Sequence, residues 1–540
     1  MGLHSRGLSK LVQSLLADLP AAGQDWLPEG IWRPAGWPPH LDALREMHFP
    51  QSATRLAAAR ERLAFEEIFL DQLVFAYKRR SHATQLGGLV FQAVGSYFHH
   101  FYAQHLPFEL TGAQKRVLKE IRKDTASGLH MNRLVQGDVG SGKTMVAFMA
   151  LLIAMDNGYQ GCLMAPTEIL AQQHYQGLLG YAESLGIRIG LLTGSVKTAA
   201  RKVLLNDLAT GQMHLLVGTH AVLEDPVVFH RLGMAIVDEQ HRFGVAQRAK
   251  LRAKNDPAPH ILVMTATPIP RTLAMSLYGD LDLSVIDELP PGRQPVQTVH
   301  RTDHNRLKVW GFLRDQIALG RQVYIVYPLI EESQKMDYKD LMDGYESICR
   351  DFPRPQYEIS IVHGRMKSAD KEWEMGRFVR GETHIMVATT VIEVGVNVPN
   401  ASVMVIENAE RFGLSQLHQL RGRVGRGADQ SYCILMTGDA LSEDSQVRVE
   451  TMCRTNDGFE IADVDLQLRG PGDVMGTRQS GMLEYKVANL GQDQKLIEWA
   501  REKAQDLVQR DPSMHAPEHS GLRMRFTDYA RNKMAWGHIA

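Results

Sequence analysis

Short apolar runs recur through the middle of the chain, and segments of helical periodicity separate them. Five of these runs lie between residues 161 and 265, and five more lie between residues 322 and 436. The runs are nearly continuous in apolar residues, as strands covered on both faces of a parallel sheet must be. The pattern predicts an α/β fold with two similar units in tandem. The predicted strands are 161–166, 188–194, 214–219, 234–238, 260–265, 322–327, 358–363, 383–388, 402–407 and 431–436.

Both ends of the chain have a helical pattern instead. Residues 53–80 carry apolar side chains at helical spacing among charged ones. After about residue 441 the chain is polar and helical, with a glycine-rich patch at 469–481 that predicts a tight loop and a last helix near 492–510. A proline-rich stretch at 289–293 predicts a hinge linker. The expected domains are a helical region at 1–102, α/β domains at 103–290 and 291–440, and a helical region at 441–540.

Composition restricts the partners only weakly. The chain has 540 residues with 60 basic and 61 acidic side chains, so net charge neither favours nor excludes nucleic acid. The four cysteines form no C-x-x-C pair, which predicts reduced core cysteines in a cytosolic protein. The longest apolar run, at 145–155, has 11 residues, against about 20 for a membrane span. We therefore expect a cytoplasmic protein without membrane contact.

A phosphate-binding loop lies between a short strand at Leu134-Val135 and the apolar run at 145–155. It matches the pattern G-x-x-x-x-G-K-[ST] with Gly137, Asp138, Val139, Gly140, Ser141, Gly142, Lys143 and Thr144. Its glycines let backbone N–H groups close on phosphates, Lys143 reaches the β- and γ-phosphate oxygens, and the Thr144 hydroxyl holds Mg²⁺. The sequence therefore predicts a site for ATP and a magnesium ion.

Two acidic residues end one of the predicted strands. Asp238 follows the apolar run 234–237 and so lies at the carboxyl edge of the sheet, where ligands bind in open α/β folds. Phosphoryl transfer depends mainly on placement and charge neutralisation. We therefore expect Asp238 to support Mg²⁺, and Glu239 to act as general base or to position the attacking water.

The second α/β unit contributes a glutamine and two arginines. Gln419, Arg423 and Arg426 lie in one short segment, and the arginines are three residues apart, so on a helix they would share one face. A guanidinium that reaches the γ-phosphate accelerates hydrolysis by about 10³–10⁵-fold. The alternative is a basic solvated helix or a DNA contact. If these arginines complete the site, ATP closes the cleft between the units and hydrolysis opens it, as in a motor.

Taken together, these motifs resemble those of superfamily 2 helicases, and among them the RecG family of branched-DNA helicases. Further matching motifs lie at 108–114, 165–168, 193–194, 218–220, 265–271, 363–366 and 389–396. The sequence Asp-Glu-Gln-His-Arg-Phe-Gly-Val at 238–245 has the RecG form and is close to that of Mfd, the transcription-repair coupling factor. Residues 465–481 resemble the translocation motif shared by both families, and the version here is closer to RecG.

The resemblance implies tandem RecA-like domains that use ATP and Mg²⁺. It also implies that Phe108 and Gln114 read adenine and that Gln419 acts in the ATP site. The residues implied in DNA contact or coupling are Thr167, Thr193, Thr219, His241, Thr265, Thr267, Thr389, Arg478 and Gln479. Contacts to phosphates would make binding salt-dependent and sequence-tolerant. A threonine at a strand end is also commonly a cap or turn residue, and the patch at 469–481 could be a structural loop.

One departure from the family is large. RecG proteins normally carry an N-terminal wedge domain, and no strand-rich segment precedes the helical region here. We expect the family's motor without its wedge, through truncation, a miscalled start or natural shortening. The alternatives are a non-unwinding DNA-stimulated ATPase or scaffold, an Mfd-like polymerase-displacing translocase and an RNA helicase. The expected partners are double-stranded and branched DNA and, as a further candidate, a single-strand-binding protein, for a nucleoid-associated bacterial monomer.

Overall fold

The computed structural model describes residues 5–18, 25–85, 87–239, 245–270, 273–274, 281–291, 294–328, 334–389, 398–425, 427, 429–473 and 485–537. Their contacts divide the chain into two compact units. The larger unit comprises Ala83–Ile269 and Asp282–Leu468, and the smaller unit comprises Met1–His82, Pro270–Leu281 and Arg469–Ala540.

The larger unit begins with a lobe built on a seven-stranded sheet, here called the first lobe. Its strands are β1 (Asn132–Gly137), β2 (Gln160–Met164), β3 (Ile189–Leu192), β4 (Leu215–Gly218), β5 (Leu232–Val237), β6 (His260–Thr265) and β7 (Asp282–Ile286). They lie in the order β3-β4-β2-β5-β6-β1-β7, and every pairing is parallel. Strands β2, β4, β5 and β6 are buried along their whole length, which explains their continuous apolar sequences.

A second lobe of the same unit contains a six-stranded parallel sheet. Its strands are β8 (Gln297–Thr302), β9 (Gln322–Tyr327), β10 (Ile359–Val362), β11 (Ile385–Thr389), β12 (Ala401–Ile406) and β13 (Tyr432–Thr437). The order is β10-β11-β9-β12-β13-β8. Two tandem parallel-sheet lobes confirm the predicted fold class, whereas the exact domain boundaries stay predictions.

Helices cover both sheets and form most of the described part of the smaller unit. They are α1 (Ser5–Asp18), α2 (Glu29–Trp32), α3 (His40–His48), α4 (Ala53–Gln85), α5 (Ser96–His100), α6 (Gly112–Ala126), α7 (Lys143–Asp156), α8 (Glu168–Ser184), α9 (Thr198–Ala209), α10 (Val245–Arg252), α11 (Arg306–Ala318), α12 (Gln334–Asp351), α13 (Ser368–Val379), α14 (Leu414–Arg421), α15 (Glu443–Arg454), α16 (Gly458–Asp473), α17 (Gln494–Arg510) and α18 (Ser520–Gly537). In the described ranges, none of these helices is long and apolar enough to cross a bilayer.

Helix α7 is the central helix of the first lobe. Every residue from Val146 to Met155 is buried, so this helix is apolar on all sides and packs into the main core. It therefore has no polar face to turn towards water. The core fixes the start of the helix, which is where the phosphate-binding loop ends.

The smaller unit packs around α4. Trp37 and Phe65 contact Trp499 with ring centroids 5.1 Å and 4.8 Å away, and the Arg60 guanidinium pairs with both oxygens of Asp493 at 2.7 Å and 2.8 Å. The Glu67 carboxylate accepts three backbone N–H groups from residues 486–488, each at 3.0 Å. These contacts tie α4 to the start of the C-terminal segment.

Three sequence expectations about these regions are wrong. The helix near 492–510 is not the last one, because α18 follows it. The patch at 469–481 is not a loop throughout, since α16 continues to Asp473 despite its glycines and proline. Cys453 is exposed and so is not a core residue, whereas Cys162 and Cys433 are buried as expected, and all four cysteines are free.

Candidate nucleotide site between the two lobes

The phosphate-binding loop has the strand–loop–helix geometry that its motif requires. Strand β1 ends at Gly137 and α7 begins at Lys143. Gly140 and Gly142 have φ angles of 80° and 81°, a left-handed conformation that side chains disfavour. The Lys143 Nζ donates to the carbonyl oxygens of Gly137 and Asp138, each at 2.7 Å. The ammonium group is therefore held inside the loop, where it can meet phosphate oxygens.

The predicted adenine motif is attached directly to this loop. Gln114 is fully buried, and its Nε2 donates to the Ser141 carbonyl at 2.8 Å. Its Oε1 accepts the Thr111 N–H at 2.9 Å, which completes a capping box at the start of α6. A Cβ atom on Gly142 would lie 2.3 Å from Gln114 Nε2 and 3.6 Å from Phe108 Cζ. The close approach of Gln114 therefore requires glycine at this position.

Asp238 and Glu239 lie where the sequence predicted, directly after β5. Asp238 Oδ2 is 2.7 Å from His174 Nε2, and its Oδ1 accepts the Glu239 N–H at 3.0 Å. Burial alone would raise the pKa of Asp238, but the hydrogen bond and charge of His174, together with Lys143, hold that pKa below its ordinary value. Asp238 is thus a charged carboxylate at the carboxyl edge of the sheet, with oxygens that suit Mg²⁺.

The Glu239 carboxyl has the opposite electrostatic environment. Burial, followed by the neighbouring negative charge of Asp238, raises the pKa of Glu239, although Lys143 and Arg423 oppose the shift. The residue has a φ angle of 53°, which is uncommon for a side chain of this size. Such backbone strain is typical of functional sites.

Gln419 links the second lobe to the first. Its Nε2 donates to the Thr267 hydroxyl at 2.7 Å, and the Thr265 hydroxyl accepts the Thr267 N–H at 3.2 Å. Thr265 is the last residue of β6, and it is buried. The polar segment 265–267 therefore connects the edge of the first sheet to helix α14 of the second lobe.

Arg423 lies close enough to the same site for its charge to act there, but it is not on a helix as expected. Helix α14 ends at Arg421, Gly422 caps it, and Arg423 lies in the following turn, where its N–H bonds to the Leu420 carbonyl at 3.0 Å. The expectation that Arg423 lies on a helical face is therefore wrong. Arg423 is 8% exposed, and its charge acts on Glu239.

The lobes also touch through close backbone packing. A Cβ atom on Gly422 would lie 2.9 Å from the Val139 Cβ, so only glycine lets this turn reach the phosphate-binding loop. Gly458, the first residue of α16, is as tightly enclosed: a Cβ there would lie 2.4 Å from Pro268 Cγ and 2.7 Å from His418 Nε2.

The sequence analysis missed His418 and Arg421. His418 Nε2 lies 2.6 Å from Asp138 Oδ1 across the lobes, and its Nδ1 lies 3.0 Å from Arg421 Nη2. Both side chains are almost fully buried. Their only signal in the sequence was spacing, since residues three apart on a helix share one face, and other polar residues of the same helix made this signal weak. His174 was missed as well, because it lies two turns into a helix and away from any motif.

The threonines assigned to DNA lie at the carboxyl edges of both sheets. Thr167 caps α8, where its hydroxyl accepts the Leu170 N–H at 3.4 Å, and the Thr193 hydroxyl contacts Ser195 at 3.0 Å. The hydroxyls of Thr219 and Thr389 are buried and have no hydrogen-bond partner among the described residues. His241, Arg426, Arg478 and Gln479 lie outside the described residues.

Fold and site together define a class: tandem RecA-like helicase lobes with a phosphate-binding loop facing the second lobe. Residues 111–276 match the DEAD/DEAH box helicase model, and residues 309–428 match the helicase conserved C-terminal domain. Residues 455–540 match the model of ATP-dependent DNA helicase RecG, domain 3, C-terminal.

Two relatives named ATP-dependent DNA helicase RecG show which family within this helicase class the chain resembles. The protein of Bacillus subtilis is 47% identical over 96% of this chain and 75% of its own length, and that of Synechocystis is 51% identical over 89% and 57%. A solved structure of RecG bound to a three-way DNA junction, 40% identical, matches with a TM-score of 0.71 over 92% of this chain and 65% of that one. The chain belongs to the RecG family. It spans 57% of the Synechocystis relative.

Proposed function

We propose that this chain is an ATP-dependent translocase on double-stranded DNA that remodels branched DNA, such as stalled forks and Holliday junctions, in recombination and repair. The observation that supports it most is the contact of Gln419 with Thr267, because it joins the second lobe to the polar segment beside the ATP site. Membership of the RecG family, and a relative solved on a three-way DNA junction, support branched DNA as the substrate.

ATP hydrolysis would use groups of both lobes. Thr144 and Asp238 offer one hydroxyl and one charged carboxylate for Mg²⁺, which commonly takes few protein ligands and completes its shell with phosphates and water. Nucleotide phosphates and water would supply the remaining coordination. When bound, the ion neutralises phosphate charge.

The remaining catalytic roles fall to three charged residues. Glu239 would position or deprotonate the attacking water, and Arg423 with Arg426 would stabilise charge on the γ-phosphate. The buried location of Arg423, with its charge acting on Glu239, supports this assignment. Gln114 and Phe108 would hold the adenine end, and residues 137–144 the phosphates.

DNA would lie along the carboxyl edges of the two sheets. Thr167 and Thr193 in the first lobe and Thr389 in the second would donate to phosphates, with Thr219 and His241 beside them. The buried hydroxyls of Thr219 and Thr389 support this role, since a ligand or water would supply the partner that the described protein lacks. Such contacts would make binding sensitive to salt.

Movement would follow from coupling these two sites. Thr265 and Thr267 would relay lobe closure through Gln419, and Arg478 with Gln479 would carry it to the duplex. We extend the proposal to a monomer in the bacterial cytoplasm, associated with the nucleoid, with single-strand-binding protein as a further partner.

Turnover measured with and without duplex or forked DNA tests the proposal. Lys143→Ala should abolish DNA-stimulated ATP hydrolysis and leave DNA binding largely intact, because the phosphate oxygens lose their ammonium partner. Lys308→Ala is the matched control, since Lys308 is exposed on α11 of the second lobe. Unchanged turnover in Lys143→Ala, or stimulation by RNA but not by duplex DNA, would contradict the proposed function.

A further inference from the structure

A chain of three side chains connects the second lobe to the phosphate-binding loop. Arg421 Nη2 lies 3.0 Å from His418 Nδ1, and His418 Nε2 lies 2.6 Å from Asp138 Oδ1. All three groups are mostly shielded, with 3% of Arg421 and 4% of His418 exposed. The contact is made by side chains of different lobes and therefore exists only while the lobes touch.

The direction of each hydrogen bond follows from the arginine. A guanidinium has only donors, so His418 Nδ1 must accept from it. The proton of the neutral imidazole is then on Nε2, which donates to the Asp138 carboxylate. His418 is thus oriented by Arg421, which is itself fixed by the carbonyl oxygens of Met452 and Thr455 at 2.9 Å and 2.8 Å.

Asp138 is well placed to affect nucleotide binding. Its backbone carbonyl accepts from Lys143 Nζ, and its carboxylate is close enough to Lys143 for their charges to interact. Its Oδ1 also accepts the Val139 N–H at 2.6 Å within the loop. A carboxylate here is a negative charge beside the ammonium group that phosphates require, unless a donor such as His418 engages it.

We propose that His418 is a positioning residue that makes nucleotide binding depend on lobe contact. While the lobes touch, His418 holds Asp138 away from Lys143. When they part, the freed carboxylate competes with nucleotide phosphates for the Lys143 ammonium, so lobe opening weakens nucleotide binding and favours product release. This inference rests on the proposed function only in taking residues 137–144 as the nucleotide site.

The test is the affinity for a fluorescent ADP, measured without DNA and without hydrolysis. His418→Ala should weaken ADP binding by about tenfold, because the freed Asp138 carboxylate then competes with the ADP phosphates for the Lys143 ammonium. Asp138→Asn removes the competing charge but keeps an oxygen for the Val139 N–H. Combined with His418→Ala, it should restore the affinity to within about twofold of the wild type.

Two further variants separate positioning from general structural damage. His418→Gln keeps one acceptor for Arg421 and one donor for Asp138, so it should bind ADP better than His418→Ala. His304→Ala, at a histidine whose side chain is 81% exposed in the same lobe, is the matched control and should bind as the wild type does. A double variant as weak as His418→Ala alone, or His418→Ala with unchanged affinity, would overturn the inference.

The same measurements distinguish a failure of the proposed function from a failure of the His418 inference. A wild-type chain that binds ADP and shows the rescue, yet hydrolyses no ATP with duplex DNA, would refute the motor and leave the His418 assignment standing. A wild-type chain that binds no ADP would overturn both.

Discussion

Gly422→Ala directly tests the contact between the lobes. Gly422 has φ and ψ angles of −65° and −8°, which alanine adopts without strain, so the backbone itself tolerates the change. The added methyl group would meet the three side-chain carbons of Val139 at 2.9 Å, 3.0 Å and 3.2 Å, where ordinary contacts begin at 3.4 Å. The substitution therefore acts through this one overlap.

The size of the effect follows from the cost of overpacking. Inserting a methyl group into a close-packed contact costs about 1–3 kcal/mol. Gly422 and Val139 belong to different lobes, so the cost falls on the contact between lobes rather than on the core of either lobe. At about 1.4 kcal/mol per factor of ten, the closed population and the ATPase rate it supports should fall by about 5- to 150-fold.

The assay is kcat/KM for ATP with saturating duplex DNA, alongside thermal unfolding. Gly438→Ala, also in the second lobe, is the matched control, because a methyl group there meets nothing within 4 Å. Val139→Ala removes two of the three overlapping carbons and should partly restore the rate. Equal rates for Gly422→Ala and Gly438→Ala would refute the reasoning, as would a fall in unfolding temperature large enough to explain the lost activity.

Two further predictions concern a pKa and the smaller unit. Burial and the Asp238 charge raise the pKa of Glu239. The role proposed for Glu239 requires its base form, so kcat should decline with falling pH before an ordinary Glu of pKa 4.5 would titrate. A kcat–pH profile with an acid limb at or below 4.5 would contradict this. Glu67→Ala should destabilise the smaller unit by about 2–4 kcal/mol, because three N–H groups of residues 486–488 lose their acceptor. Glu67→Gln keeps one acceptor oxygen and should cost less. Hydrogen exchange at 486–488 that is no faster in Glu67→Ala than in Glu67→Gln would contradict this prediction.

The sequence predicted the interior strands well, together with the edge strands β3 and β10, but it missed the opposite edge strand of each sheet. Strands β6 and β9 begin and end where the apolar runs do, because both strands are buried over most or all of their length. Strands β7 and β8 were missed. Each lies at one edge of its sheet and is only partly buried, so its sequence lacks the continuous apolar run that indicates an interior strand.

The candidate nucleotide site was also predictable from the sequence only in part. The phosphate-binding loop and Asp238 were predictable, because backbone geometry dictates glycine and a strand end places the acid. Contacts between lobes were not, since the hydrogen bond from His418 to Asp138 joins residues 280 positions apart, and no local pattern specifies it. The turn at Arg423 was also missed, because Gly422 ends the helix within a segment whose arginine spacing suggested that the helix continues.

The central claim is that nucleotide turnover between two paired lobes drives movement on duplex DNA. A crystal structure of this chain with a non-hydrolysable ATP analogue tests it most directly. We predict Arg423 and Arg426 directed at the γ-phosphate opposite Lys143, with Gly422 against Val139. Both arginines turned away from the triphosphate, with the lobes unable to meet, would contradict the account.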